Sequence, residues 1–88
     1  MNKKEVLKSV CELVSEHLEL PLEEVKKNVD VPFLDYVDEN GEPVCGMLDF
    51  TDLLMAFEEE FDIEIPMEDE EMLSTINDAV EYIMTAEV

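Results

Sequence analysis

No arginine and no tryptophan occur in the 88 residues, and glycine, histidine and cysteine are nearly absent. Each shortage removes a class of function. Gly41 and Gly46 are the only glycines, so no glycine-rich loop can cradle a phosphate. His17 stands alone, without a nucleophile at catalytic spacing or a second histidine to complete a zinc site. Cys11 and Cys45 fit neither a metal-ligand spacing nor a disulfide framework, so a reduced, cytoplasmic setting is expected. No apolar run approaches the roughly 20 residues of a membrane helix. The start, MNKKEVLK, lacks the apolar stretch of a secretory leader, and none is expected.

Positive charge is the next shortage. Five lysines (Lys3, Lys4, Lys8, Lys26 and Lys27) face 25 acids, for a formal net charge of −20. From Asn28 onward there is no base at all. Such a field repels phosphate backbones and anionic lipid, so neither nucleic acid nor membrane is an expected partner. Basic protein surfaces are, along with divalent cations held diffusely. The hydrophobic fraction of 47% is too high for a disordered acidic tail. One domain over residues 1–88, monomeric and with a modest core, is expected. It leaves little room for an enclosed active site, and no pair of carboxylates stands out for acid–base work. The chain does not read as an enzyme.

Apolar residues at Val6, Leu7, Val10, Leu13, Val14 and Leu18 follow the helical period, with Cys11 and His17 flanking the stripe. Pro21 ends that helix, and LPLEEVKKN reads as a turn pinned by Leu22 and Val25. A long aperiodic segment follows. Within it, Asn40-Gly41 between Tyr36-Val37 and Val44 predicts a small hairpin whose Pro43 arm is an edge at best. Met47 to Phe61 is helical again. Phe50, Leu53, Leu54, Phe57 and Phe61 form its inner stripe, while Met47, Leu48, Thr51 and Met55 form a second, mixed face. Ile63 and Ile65 point inward before Pro66, and MEDEEML predicts a short helix. Ser74-Thr75 caps a last helix from Ile76 to about Ala86, with Asp78 in capping-box position. The fold class is all-α.

Asp38-Glu-Asn40-Gly41 matches positions three to six of an EF-hand loop. Tyr36 and Met47 would then stand at positions one and twelve, where oxygen donors are required. The hairpin explains Asn-Gly better, so no specific metal site is expected.

The segment LDFTDLLMAFEEEFDIEIPMEDEEMLSTINDAVEYI resembles the acyl carrier proteins without a gap, and the first helix and LPLEEV fit the same family. The resemblance implies a four-helix bundle, three helices long and one short, with a long first loop. In that family an Asp-Ser-Leu motif opens the second helix, and its serine holds 4′-phosphopantetheine. Here the corresponding residues are Gly46-Met47-Leu48, and Met47 has no hydroxyl. No serine lies between Ser15 and Ser74, and the preceding loop is longer than usual, with its extra length in DENGEP. No cofactor is therefore expected. Thr51 and Cys45 are the other residues that could carry a group, Thr51 a full turn into the helix and Cys45 a thiol among acids.

The resemblance also implies a recognition surface of acids around a few apolar side chains. The matching positions are Leu48, Asp49, Asp52, Met55, Glu58, Glu59, Ile65 and Glu68, with Met47 added to the apolar centre. The leading expectation is an atypical carrier-like domain that docks on a basic-surfaced enzyme of fatty-acid, polyketide or related acyl metabolism. Two alternatives are a true carrier, loaded at another residue or without a covalent bond, and a switch responsive to divalent metal.

Overall fold

Asn2 opens the first helix by accepting the Glu5 backbone N–H at 2.9 Å, while its own amide donates to the Glu5 carboxylate at 3.1 Å. This reciprocal cap starts α1 (Lys3–Leu18). The computed structural model describes residues 2–86, so Met1, Glu87 and Val88 of the expected domain lie outside the described residues. α1 ends where Glu19 turns into the left-handed region at φ 55°. Leu20 N–H then bonds back to the Ser15 carbonyl at 3.1 Å, and the Ser15 hydroxyl donates to the Leu20 carbonyl. The arrangement satisfies carbonyls that a helix end leaves free.

The LPLEEVKKN segment is more than a turn: Leu22–Lys27 is a short helix, α2. Glu23 and Glu24 in its first turn and Lys26 and Lys27 in its last complement the helix dipole at both ends. Val25 is its buried anchor. The long segment after it is held at several points. A 3₁₀ turn at Phe33–Asp35 drops Phe33 into the core against Tyr36, Phe50 and Phe57, with ring centroids 5.9–6.3 Å apart. Phe33 N–H bonds the Ser74 carbonyl, Asn77 N–H bonds the Val29 carbonyl, and the Asn77 amide donates to Asp30. The Tyr36 hydroxyl reaches the Asn28 carbonyl at 2.7 Å. The long aperiodic segment is thereby stapled to the entry of the last helix.

The expected hairpin is reduced to one antiparallel bridge, Val37 to Pro43. Its two bonds run from Asp38 N–H to the Glu42 carbonyl and from Val44 N–H to the Tyr36 carbonyl, so Pro43 gives up no donor the pairing needs. Gly41 takes φ 80° at the tip, the conformation that glycine adopts without cost.

α3 (Met47–Phe61) is capped by Gly46 at its start and by Asp62, left-handed at φ 52°, at its end. Leu53, Leu54, Phe57 and Phe61 are buried; Phe50 is only half-buried, at the margin of the stripe. The MEDEEML segment forms a 3₁₀ helix over Met67–Met72 and buries none of its residues. Four adjacent acids, Glu68 to Glu71, give a longer helix nothing to bury and much to repel. α4 (Ile76–Ala86) begins as expected: Thr75 accepts Asp78 N–H at 3.1 Å, and the Asp78 carboxylate accepts the Ser74 hydroxyl. Its Ile76, Ala79, Val80 and Ile83 are buried.

The four helices make an all-α bundle in which α1 packs against α2, α3 and α4. Val6, Val10 and Val14 of α1 are fully buried at its centre. Cys11, expected at the edge of the stripe, is inside it at 1% exposure. Among the described residues no polar or charged side chain is buried, so the acids all sit at the surface or its margin. No helix among them is long and apolar enough to cross a membrane.

Candidate functional site

α3 divides into two faces because its sequence runs two stripes at helical spacing. With Leu53, Leu54, Phe57 and Phe61 turned inward, Met47, Leu48, Thr51 and Met55 must turn out. Leu48 lies one turn from Thr51 and Asp52, and Met55 one turn from Thr51, Asp52 and Glu59. Met47 is 67% exposed, Leu48 83% and Met55 54%. Three large apolar side chains on one helix face, with acids among them, form a patch that a soluble surface does not need.

The other expected partner residues distribute unevenly. Asp49, Asp52, Glu59 and Glu68 are exposed, and Glu58 is half-buried. Asp49 is turned back on its own helix, where its carboxylate accepts Gly46 N–H at 2.9 Å. Glu58 accepts Ile65 N–H at 3.0 Å and so fastens the chain that leaves α3. Ile65 does not belong to the surface: it is 8% exposed and part of the core. That agrees with the inward direction expected for Ile63 and Ile65 before Pro66, Ile63 being half-buried, and removes Ile65 from the partner surface that the resemblance implied. Met67, outside the sequence-based set, is 83% exposed beside Glu68. Its signal was an apolar residue between Pro66 and a run of acids.

Groups able to accept a covalent load are few near the start of α3. Met47 presents a thioether. The Thr51 hydroxyl donates to the Met47 carbonyl at 3.0 Å. Cys45 is buried, and burial, reinforced by the Asp49 charge, pushes its thiol up to about 11. Few thiolates form there near neutral pH. Cys11 is likewise raised by burial, only partly offset by Lys26. Both cysteines are free. Among the described residues no group of three or more potential ligands could hold a metal ion. Asp38, the first acid of the EF-hand-like run, uses its carboxylate to accept the N–H groups of Asn40 and Glu42 at 2.8 and 3.0 Å. It closes a turn.

No family model matches the chain. Individual proteins do. It is 41% identical over 85 residues to the acyl carrier protein of Prochlorococcus marinus strain MIT 9515, covering 94% of each chain. It is 40% identical over 79 residues to the acyl carrier protein of Phenylobacterium zucineum strain HLK1, covering 90% of each. A third, from Caulobacter vibrioides strain NA1000 / CB15N, is 39% identical over 79 residues, 90% of this chain and 91% of that one. The chain belongs to the acyl carrier protein family. Acyl carrier proteins are carriers and not enzymes, which agrees with the lack of a catalytic constellation in the sequence. Within this acyl carrier protein fold, α3 is the helix whose outer face is most apolar, and its first residue is Met47.

Proposed function

We propose that this member of the family is a docking module that carries no phosphopantetheine and is gripped through α3 by a basic-surfaced enzyme of acyl metabolism. The observation that carries the reading is Met47: it opens α3, its side chain projects into solvent, and it has no hydroxyl to form a phosphodiester. The neighbouring alternatives fit no better. Thr51 stands one turn too far along the helix with its hydroxyl engaged, and Cys45 is buried and protonated. The residues therefore do not suit the family's prosthetic group.

Recognition needs no load. Met47, Leu48 and Met55 offer an apolar centre, and Asp52 and Glu59 an acidic margin. A partner with an apolar recess ringed by lysine and arginine would match both, its charges steering encounter and its recess supplying affinity. A cytoplasmic setting suits the two free cysteines.

Incubation with a phosphopantetheinyl transferase and coenzyme A is expected to leave the intact mass unchanged, as is purification from the native host. A gained prosthetic group would identify a true carrier and overturn the reading. Zero-length carbodiimide cross-linking should join partner lysines to Asp52 and Glu59. Cross-links confined to other acids would displace the grip from α3.

A further inference from the structure

The chain's scarce cations are not scattered. Lys4 and Lys8 stand one turn apart on α1, and Lys26 projects from α2; together they line an open groove of about 530 Å³. Its floor is apolar, formed by Leu7 and Cys11 of α1 and by Val29. Three of five lysines, in a protein with 25 acids, therefore ring one apolar trough on elements other than α3. Three acids border it: Glu5, Glu23 and Glu12, the last one turn beyond Lys8 with its charge felt at Cys11. Glu5 lines the groove, but its carboxylate accepts the Asn2 amide in the cap of α1. Glu23 approaches Lys26 only at 3.9 Å, and both side chains are about half-exposed or more. Such a pair holds its partners weakly. Among the described residues, Lys4 and Lys8 make no ion pair, whereas Lys3 is occupied by Glu81.

We propose that this groove binds a single-chain amphiphile with an anionic head, the alkyl chain lying on Leu7, Cys11 and Val29 and the head between Lys4, Lys8 and Lys26. The size is that of a small-molecule site, typically roughly 300–1,000 Å³. A floor of three side chains is far too small for a protein interface, which engages about 20–30 residues a side. A second copy is disfavoured further because each brings a charge of −20. A small monoanion meets three lysines at the groove, and burying its methylenes supplies the driving force. The inference does not depend on the docking role of α3.

The full chain titrated with dodecanoate below its micelle-forming concentration, followed by amide chemical shifts, tests it. Saturable one-to-one shifts are expected at Leu7, Lys8, Cys11, Lys26 and Val29. The Lys4→Glu/Lys8→Glu double variant should weaken binding at least about tenfold, since two exposed attractions become repulsions. Lys4→Arg/Lys8→Arg should retain it. Circular dichroism checks the fold, and the Lys4→Gln/Lys8→Gln pair gives a milder version of the same loss. Unchanged affinity in the charge variants would overturn the proposal. So would shifts centred between α3 and α4, or equal shifts at these residues with dodecyltrimethylammonium.

Discussion

The Thr51 hydroxyl donates to the Met47 carbonyl at 3.0 Å, so the one hydroxyl on the outer face of α3 is tied to the backbone of the residue that opens the helix. A β-hydroxyl bonded one turn back within its helix is satisfied locally. It sits about 5.4–6 Å further along the axis than a hydroxyl on Met47 would. If attachment fails for want of a hydroxyl at the helix start and not for want of a fold, Met47→Ser is expected to gain one phosphopantetheine from a transferase and coenzyme A. Thr51→Ala should change nothing in either background. Intact mass spectrometry reads both.

Cys11 and Cys45 are expected to be inert to thiol reagents in the folded protein at pH 8. Both are buried with thiols raised by burial, Cys45 to about 11. Reaction with a chromogenic disulfide should be slow and should follow the unfolding curve in urea. A rapidly labelled Cys45 in native buffer would reopen direct thioester chemistry at that residue.

The Tyr82 hydroxyl donates to the Asp69 carboxylate at 2.7 Å and joins α4 to the Met67–Met72 segment. Burial, that hydrogen bond and the charges of Asp69 and Glu58 push Tyr82 up to about 12, from an ordinary 10. A raised value means that the folded state favours the neutral phenol. Its contribution is complete below pH 10 and is lost as pH climbs towards about 12, where the unfolded chain ionises first. Tyr82→Phe should cost about 1 kcal/mol at pH 8. The gap to the wild type should narrow between pH 10 and 12 in urea unfolding midpoints.

Phe33→Ala should cost about 3–5 kcal/mol. Phe33 is 1% exposed and touches three other rings, so its removal leaves a cavity and frees the segment that Ser74 and Asn77 hold. Against a total stability of about 5–15 kcal/mol, thermal melting should show a large loss.

With acids unpaired over most of the surface, unfolding temperature is expected to rise as sodium chloride goes from low to near-physiological ionic strength. At about 0.15 M the Debye length shrinks to roughly 8 Å, and repulsion between distant carboxylates is screened. A flat response in differential scanning calorimetry would show that the −20 charge is spread too widely to strain the fold.

The helices were legible because their stripes are long. Sixteen residues of α1 and fifteen of α3 repeat the apolar period often enough to separate an inner from an outer face, so the period alone places Met47, Leu48 and Met55 off the inner stripe. The cap at Thr75 was legible for a similar reason, being local in sequence. Short elements were less so. Six residues of α2 carry under two turns of period, and its dipole-matched ends make it a helix where its length suggested a turn.

The lysine groove marks the boundary most clearly. Composition and periodicity alone settled that this chain is an acidic, all-α domain with apolar residues left on the outer face of α3, because those properties repeat along neighbouring residues. Its carrier-like character came from the resemblance of the segment from Leu48 onward to the acyl carrier proteins. Two single left-handed residues, Glu19 and Asp62, redirect the chain after α1 and α3, and nothing periodic announces where it then goes. Ile65 reads as inward-pointing from its place before Pro66, and it is the position carried over from the resemblance, not the sequence pattern, that its burial corrects. Lys26 comes to stand across from Lys4 and Lys8, eighteen residues and more away in sequence, only through the packing of α2 on α1. Contacts between residues that far apart are set by how buried surfaces close on one another, and only the tertiary structure decides them.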